Sequence, residues 1–362
     1  MTKRQAASVS LIFLSSLLLL FAYGCGTVSS SSSGSSAATV AIIYQHCFGD
    51  YSGPNSSCEV MTMRSDGSGS FKLTDLPSVS AYSYYPAMSP DGTKVAYVVY
   101  VGGFTTSLEV VGIDGSGRKT VASNKDYFCW SPDSKKIAFS SNSGAIEVRD
   151  VEAMTAPVSV THEAAGNRRF SWSSDGSMFA YVVQNSLWVA YMNGTSVTSI
   201  EEVIGTSMSP RYPLFSPVDR DKLALLYAFD LAVFDMALRE RTTLETDPLN
   251  TWDKAWSNDG QWIYYPKYGT GGDFDLWRAS ITGTVAESLT DDILSTAGIT
   301  QTKPDEQRPR VFPGSRAVFF SVTPKDKNYS SSEVYSMSPD GTNKVRLTND
   351  MHFDGTDVTI SF

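Results

Sequence analysis

The sequence predicts an all-β fold, a ring of four-stranded antiparallel blades, on three observations. The string at residues 86–97, PAMSPDGTKVAY, recurs in degraded form along most of the chain. Its large residue stands at Met88, Trp130, Trp172, Phe215, Trp256 and Phe312, in steps of 42, 42, 43, 41 and 56. Each copy is followed by a second hairpin signal, which gives four strands per period, and periods near 40 with several strands read as propeller blades.

One unit shows the physics. Ala87, Met88 and Ser89 end a short strand. Pro90, Asp91 and Gly92 are turn chemistry: Pro fixes φ, Asp bonds its own backbone and Gly tolerates positive φ. Lys94 to Val99 (KVAYVV) is β-branched and aromatic and reads as the second strand. The same pattern places Ile137-Ala138-Phe139, Phe179-Ala180-Tyr181, Leu223-Ala224-Leu225, Ile263-Tyr264-Tyr265 and Val318-Phe319-Phe320 in second strands. Third strands open on a polar or acidic residue, as in Glu59-Val60, Glu109-Val110, Glu147-Val148, Ser186-Leu187, Asp230-Leu231, Asp275-Leu276 and Glu333-Val334. Turns at Asp66-Gly67, Asp114-Gly115, Asn193-Gly194 and Asp340-Gly341 lead to fourth strands, three of which end in Leu73-Thr74, Leu289-Thr290 and Leu347-Thr348. Seven second strands against six first strands leave the blade begun near Val40 to Tyr44 incomplete. The tail at residues 357–362, DVTISF, is expected to complete it and so remove an exposed edge. Seven blades are expected, with six as the alternative.

The chain ahead of the repeats has its own character. Lys3 and Arg4 precede an apolar run from Leu11 to Tyr23, which is short for a membrane span and has the layout of an export signal. Residues 1–24 are read as that signal, 25–38 as a Ser-rich flexible tether, and 39–362 as the propeller. Of four cysteines, Cys47 and Cys58 are the expected disulfide pair in an exported chain; two free thiols are the alternative. Cys129, beside Trp130, is expected to be a small buried hydrophobe. Net charge is −9, or −11 without the leader's two cations, and no basic stripe is present. That balance argues against a nucleic-acid partner.

Two resemblances follow from these residues. Ala22-Tyr23-Gly24-Cys25 resembles a bacterial lipobox, with bulky Tyr23 a departure from the pattern. It implies cleavage before Cys25, acylation of its sulfur and a bilayer as partner; Gly26 after the cysteine implies the outer membrane. The SPDG hairpins, DG turns and LT endings are similar to the TolB-like, WD-repeat-like β-propellers over residues 39–362. The α/β domain that TolB carries before its propeller has no counterpart here, so a Tol–Pal role is not carried over.

Strand parity divides the ring into two faces. First-to-second and third-to-fourth turns fall on one, and the tight DG turns all lie there. The long segments 46–57, 78–85, 101–106, 268–273, 291–307 and 324–331 fall on the other. Loops of such length are uncommon unless functional or disordered, so this second face is the expected binding face. Phe48, Tyr51, Tyr82, Tyr84 and Tyr85 are its candidate aromatic patch, with blade-edge capping as the alternative. Repeated Asp91, Asp133, Asp175 and Asp259 are read as turn formers. No metal, cofactor or catalytic set is expected: the three histidines, His46, His162 and His352, fall in different blades, and no nucleophile turn or phosphate loop occurs. The expected function is a non-enzymatic binding module for an envelope protein, peptide or glycan. The alternatives are an envelope glycan lyase or hydrolase and a structural spacer.

Overall fold

The structure, a computed structural model, describes residues 41–355 apart from 49–56, 76–80, 102–104, 125–126, 141–143, 162–169, 247–252, 270–272, 291–304, 312–316, 324–331 and 350–352. The signal, the tether, Cys25 and Tyr51 lie outside the described residues. Residues 39–362 form one compact unit, and the description below concerns that unit.

Among the described residues every regular element is a strand except one 3₁₀ turn, Thr206–Met208. Five sheets have four strands each, and one has eight. The eight-stranded sheet divides into two groups of four at a single parallel pair, Cys58 with Tyr82. The strands therefore sort into seven four-stranded groups, here called blades. The first contains Ala41–Phe48, Ser57–Arg64 and Phe71–Lys72, together with Phe353–Gly355 from the far end of the chain. The innermost strands of the other six are Ala81–Met88, Phe128–Trp130, Phe170–Trp172, Arg211–Phe215, Ala255–Trp256 and Asp305–Arg310.

Closure of the ring by the tail follows from pairing: Phe353 lies opposite Cys47, Asp354 opposite His46 and Gly355 opposite Gln45. The strand expected at 357–362 lies outside the described residues, and the pairing that is described begins earlier, at Phe353. The slot expected for Phe312 is occupied by Val311. Arg310 pairs with Phe319, so the next residue stands at the buried position beside Val318, and Phe312 itself is outside the described residues.

Side chains from alternate positions of each second strand serve two different junctions, as period-2 alternation requires. Val95, Tyr97 and Val99 pack toward the first blade, Ala96 and Val98 toward the third. Ala138 packs with Trp172 and Phe179 of the fourth blade, whereas Ile137 and Phe139 pack back toward the second. Met178, Ala180 and Val182 meet Leu223 and Leu225; Ala224 meets Ile263 and Tyr265; Tyr264 meets Phe320 and Val322. Phe319 and Val334 of the last blade then join Ile42 and Ile43 of the first. The core is thus a circuit of six clusters, not a central mass. Trp130 and Trp256 tighten it by donating Nε1–H to the carbonyls of Ala87 and Leu214 one blade back, each at 3.0 Å.

The repeated polar letters have local causes. Ser131 Oγ donates to Asp133 at 2.5 Å and accepts from the Lys136 amide at 3.0 Å, while Asp133 accepts from the Lys135 amide at 3.1 Å. Ser89–Asp91, Ser173–Asp175 and Ser257–Asp259 repeat the device. The LT endings are explained by a second one. Thr348 Oγ1 accepts the Val334 amide at 3.0 Å and donates to buried Glu333 at 2.6 Å. Thr74 makes the same two bonds with Val60 and Glu59.

Candidate functional site

The innermost strands line the central channel and run from the inter-blade links toward the SPDG turns. Their registers are equivalent: Met88 pairs with Val95, Trp130 with Ile137, Trp172 with Phe179, Phe215 with Leu223 and Trp256 with Ile263. Three residues back from each large residue lies a stretch of the inner strands on the side of the inter-blade links, though in three blades a bulge displaces the count by one, so that Tyr84, Arg211 and Gln307 are the residues paired three steps along the neighbouring strand, at Val98, Leu226 and Ser321. The described residues at that offset are Tyr85, Tyr127, Tyr212, Asp253 and, counting from Val311, Arg308. Tyr85 is 40% exposed, Asp253 is buried, and Tyr127, Tyr212 and Arg308 are half-buried.

Three of the five stand on a shared distortion. Tyr85, Tyr212 and Arg308 have φ of 54°, 52° and 58°, in the left-handed region, and each precedes a proline. In each strand two residues stand against one on the neighbour: Tyr85 and Pro86 against Tyr97, Tyr212 and Pro213 against Leu225, and Arg308 and Pro309 against Phe320. These are β-bulges, which re-aim a side chain and gather at rims and functional sites. A bulky residue at positive φ is costly; here the same cost recurs at the same level of three blades.

Charged side chains tie this stretch together across blades five to seven. Lys254, buried, donates to the Tyr212 carbonyl at 2.7 Å and sits 5.9 Å from the centre of its ring. Asp253 receives Arg310 Nη1 at 2.8 Å, and the same nitrogen reaches the Pro309 carbonyl. Both members of that ion pair are buried, at 12% and 9% side-chain exposure. A buried pair of this kind is weak support for stability. Its presence instead fixes two inner strands in register at the channel mouth.

The structure relocates the expected aromatic patch. Tyr82, Tyr84 and Tyr85 are not in a loop but in the innermost strand Ala81–Met88, because pairing with Lys94–Val101 continues through the bulge to Ala81. Tyr82 is half-buried, opposite Tyr100 and beside Cys58. Phe48 ends the strand Ala41–Phe48, again inside a ladder rather than a loop. The other expected long segments are shortened in the same way: Thr105–Gly112, Trp262–Tyr268 and Asp305–Arg310 take up residues assigned to loops. Two second-to-third connections on this face are two-residue turns, at Gln184-Asn185 and Ala228-Phe229. Cys47 and Cys58, directly opposite in their ladder, are joined in a disulfide. Cys129 is buried and its thiol is pushed well up by desolvation. His46 is a buried strand residue edge-on to Tyr44, while His162 and His352 lie outside the described residues. Tyr127, Tyr212, Asp253, Lys254, Arg308 and Arg310 escape the sequence reading, because nothing in it shows where a bulge shifts the count along an inner strand.

No protein-family model and no curated protein matches the sequence. Solved structures do match in fold. A TolB from Acinetobacter baumannii is similar at TM-score 0.52 and 16% identity, over 87% of this chain and 65% of that one. A putative TolB from Agrobacterium tumefaciens is similar at 0.50 and 20%, over 69% and 91%. The fold is that of a TolB-like β-propeller. The same TolB-like architecture extends to an oligogalacturonate lyase from Vibrio parahaemolyticus, at TM-score 0.58 and 11% identity over 86% of this chain and 87% of that one. Identities this low speak to fold alone. Among the described residues no helix is long and apolar enough to cross a membrane.

Proposed function

We propose that this TolB-like propeller is a non-enzymatic binding module of the bacterial cell envelope, held on a bilayer through acylated Cys25 and engaging its ligand at the channel mouth on the link-bearing face. The observation that carries the reading is the set Tyr85, Tyr127, Tyr212, Asp253 and Arg308, polar aromatic and charged groups on the link-side half of the inner strands, three of them at positive φ on bulges at equivalent places and none of those three in the hydrophobic clusters. The lipobox-like string and the Ser-rich stretch support the anchor and the tether, with the outer membrane as the site. The binding claim is tested by hydrogen exchange of the whole chain with and without an envelope extract. Protection is expected in the innermost strands at the mouth; protection confined to the DG turns defeats it. The anchor is tested by metabolic labelling with an alkynyl fatty acid, where label is expected on the wild type and lost in Cys25→Ala.

A glycan lyase or hydrolase is the second reading, favoured by the similarity to a structure titled as a lyase for oligogalacturonate. It requires an acid–base cluster at the mouth. Formation of unsaturated or reducing ends on an acidic glycan, abolished by Asp253→Asn, would establish it in place of simple binding.

A further inference from the structure

We infer that the ligand taken at the channel mouth is an oligosaccharide carrying carboxylates, a uronic-acid glycan; the inference rests on the channel-mouth reading above and names its ligand. The charge argument comes first. On a chain of net charge −9, the inner strands of blades five to seven each carry a cation on their link-side half, Arg211, Lys254, Arg308 and Arg310, of which Lys254 is held on the Tyr212 carbonyl and Arg310 on Asp253. Asp305 and Glu306 precede Arg308 in the same strand, farther toward the link. Arg211 is exposed and has no ion-pair partner among the described residues, and Arg308, two blades on, is half-buried. Guanidinium groups so placed fit a carboxylate through two parallel hydrogen bonds.

The choice between a sugar acid and an acidic peptide turns on the bulges. An extended peptide joins a sheet by adding a strand to an edge, through regularly spaced main-chain donors and acceptors. Pro86, Pro213 and Pro309 supply no N–H, and the extra residue before each breaks the spacing an added strand needs. Three of the inner edges thus reject strand addition at this level. What they offer instead is side chains: the rings of Tyr85 and Tyr212, suited to lie against a pyranose face and to bond its hydroxyls, with Arg211 and Arg308 for its carboxylates.

The test is calorimetric titration of the full mature chain with three probes: a tetrasaccharide of galacturonic acid, its methyl ester, and tetraglutamate. The acid sugar is expected to bind, and the uncharged ester at least about tenfold more weakly. Arg308→Gln and Arg211→Gln are each expected to weaken the acid sugar about tenfold, the scale of one charge-assisted hydrogen bond. Near-ultraviolet circular dichroism checks that each variant is folded, and Lys135→Gln, on the opposite face, is the charge control with unchanged binding. Tetraglutamate bound as tightly as the sugar, and weakened by the same two variants, overturns the sugar assignment and leaves the mouth as an anion site. Absence of sugar binding, or sugar binding indifferent to both arginine variants, overturns the inference outright, while the exchange experiment above decides the channel-mouth reading by itself.

Discussion

At the scale of single residues, the turn aspartates were legible as turn formers, and the structure adds how they hold. Burial raises the Asp133 and Asp175 carboxyls, but hydrogen bonds outweigh it and leave both below the usual 3.8. At Asp133 the bonds come from Ser131, Lys136 and the Lys135 amide; at Asp175 from the Ser177 amide and the hydroxyls of Ser173 and Ser177. A lowered folded pKa means stability that is present above the unfolded value and lost as pH falls through the folded one. Asp175→Asn is therefore expected to lower the urea midpoint at pH 7, by about 1 kcal/mol of stability, with the difference from wild type shrinking as pH falls below the usual 3.8. A difference that persists in acid would assign the cost to packing. The Leu-Thr endings, in contrast, were legible only as a spelling. Nothing in one sequence says that Thr348 serves an amide and a buried carboxylate of consecutive residues in the neighbouring strand. Thr348→Val leaves the Glu333 carboxylate and the Val334 amide short of a partner, and about 1–3 kcal/mol is the expected loss in chemical denaturation.

At the scale of elements, second strands were read at the right residues because their alternation is set by two-sided burial, and KVAYVV or MFAYVV has few other solutions. Strand ends were read too short. The bulges explain this: Tyr85-Pro86, Tyr212-Pro213 and Arg308-Pro309 look like strand breakers in sequence, yet pairing resumes beyond each of them. Glycine at the bulge relieves the positive φ. Tyr212→Gly is expected to leave stability within about 1 kcal/mol of wild type while weakening ligand binding, a separation that equilibrium unfolding and titration together would reveal. The turn glycine Gly283 behaves oppositely. With φ at +69° it stands where a Cβ would come 2.8 Å from the Thr243 carbonyl of the blade before. Gly283→Ala is expected to cost more than about 1 kcal/mol and to lower the thermal midpoint; an unchanged midpoint would mean the two blades are not held as closely as described.

At the scale of the whole molecule, the blade repeat and tail closure were legible because seven second strands outnumbered six first strands. The channel-mouth set was not, since it is a property of several registers compared at once. One row of the sheet concentrates the closure. Phe353, Cys47, Cys58 and Tyr82 are successive neighbours across four strands, joining tail, first blade and second blade, and the disulfide lies in its middle. Reduction, or the pair Cys47→Ser and Cys58→Ser, is expected to lower stability by about 3 kcal/mol. Amides of Ala41–Phe48 should be the first to lose exchange protection. Protection lost uniformly around the ring would contradict a local clamp.

The first blade draws its strands from both ends of the chain, and this has a consequence for synthesis. As the polypeptide leaves the ribosome, the strand Ala41–Phe48 emerges early, while its partner at Phe353 follows 353 − 48 = 305 residues later. Throughout that interval the nascent chain carries an open, hydrogen-bonding edge. Completion of the fold therefore waits until Phe353–Gly355 has emerged, and a product stalled or truncated before that strand is the form of this protein most exposed to misassociation with its own kind.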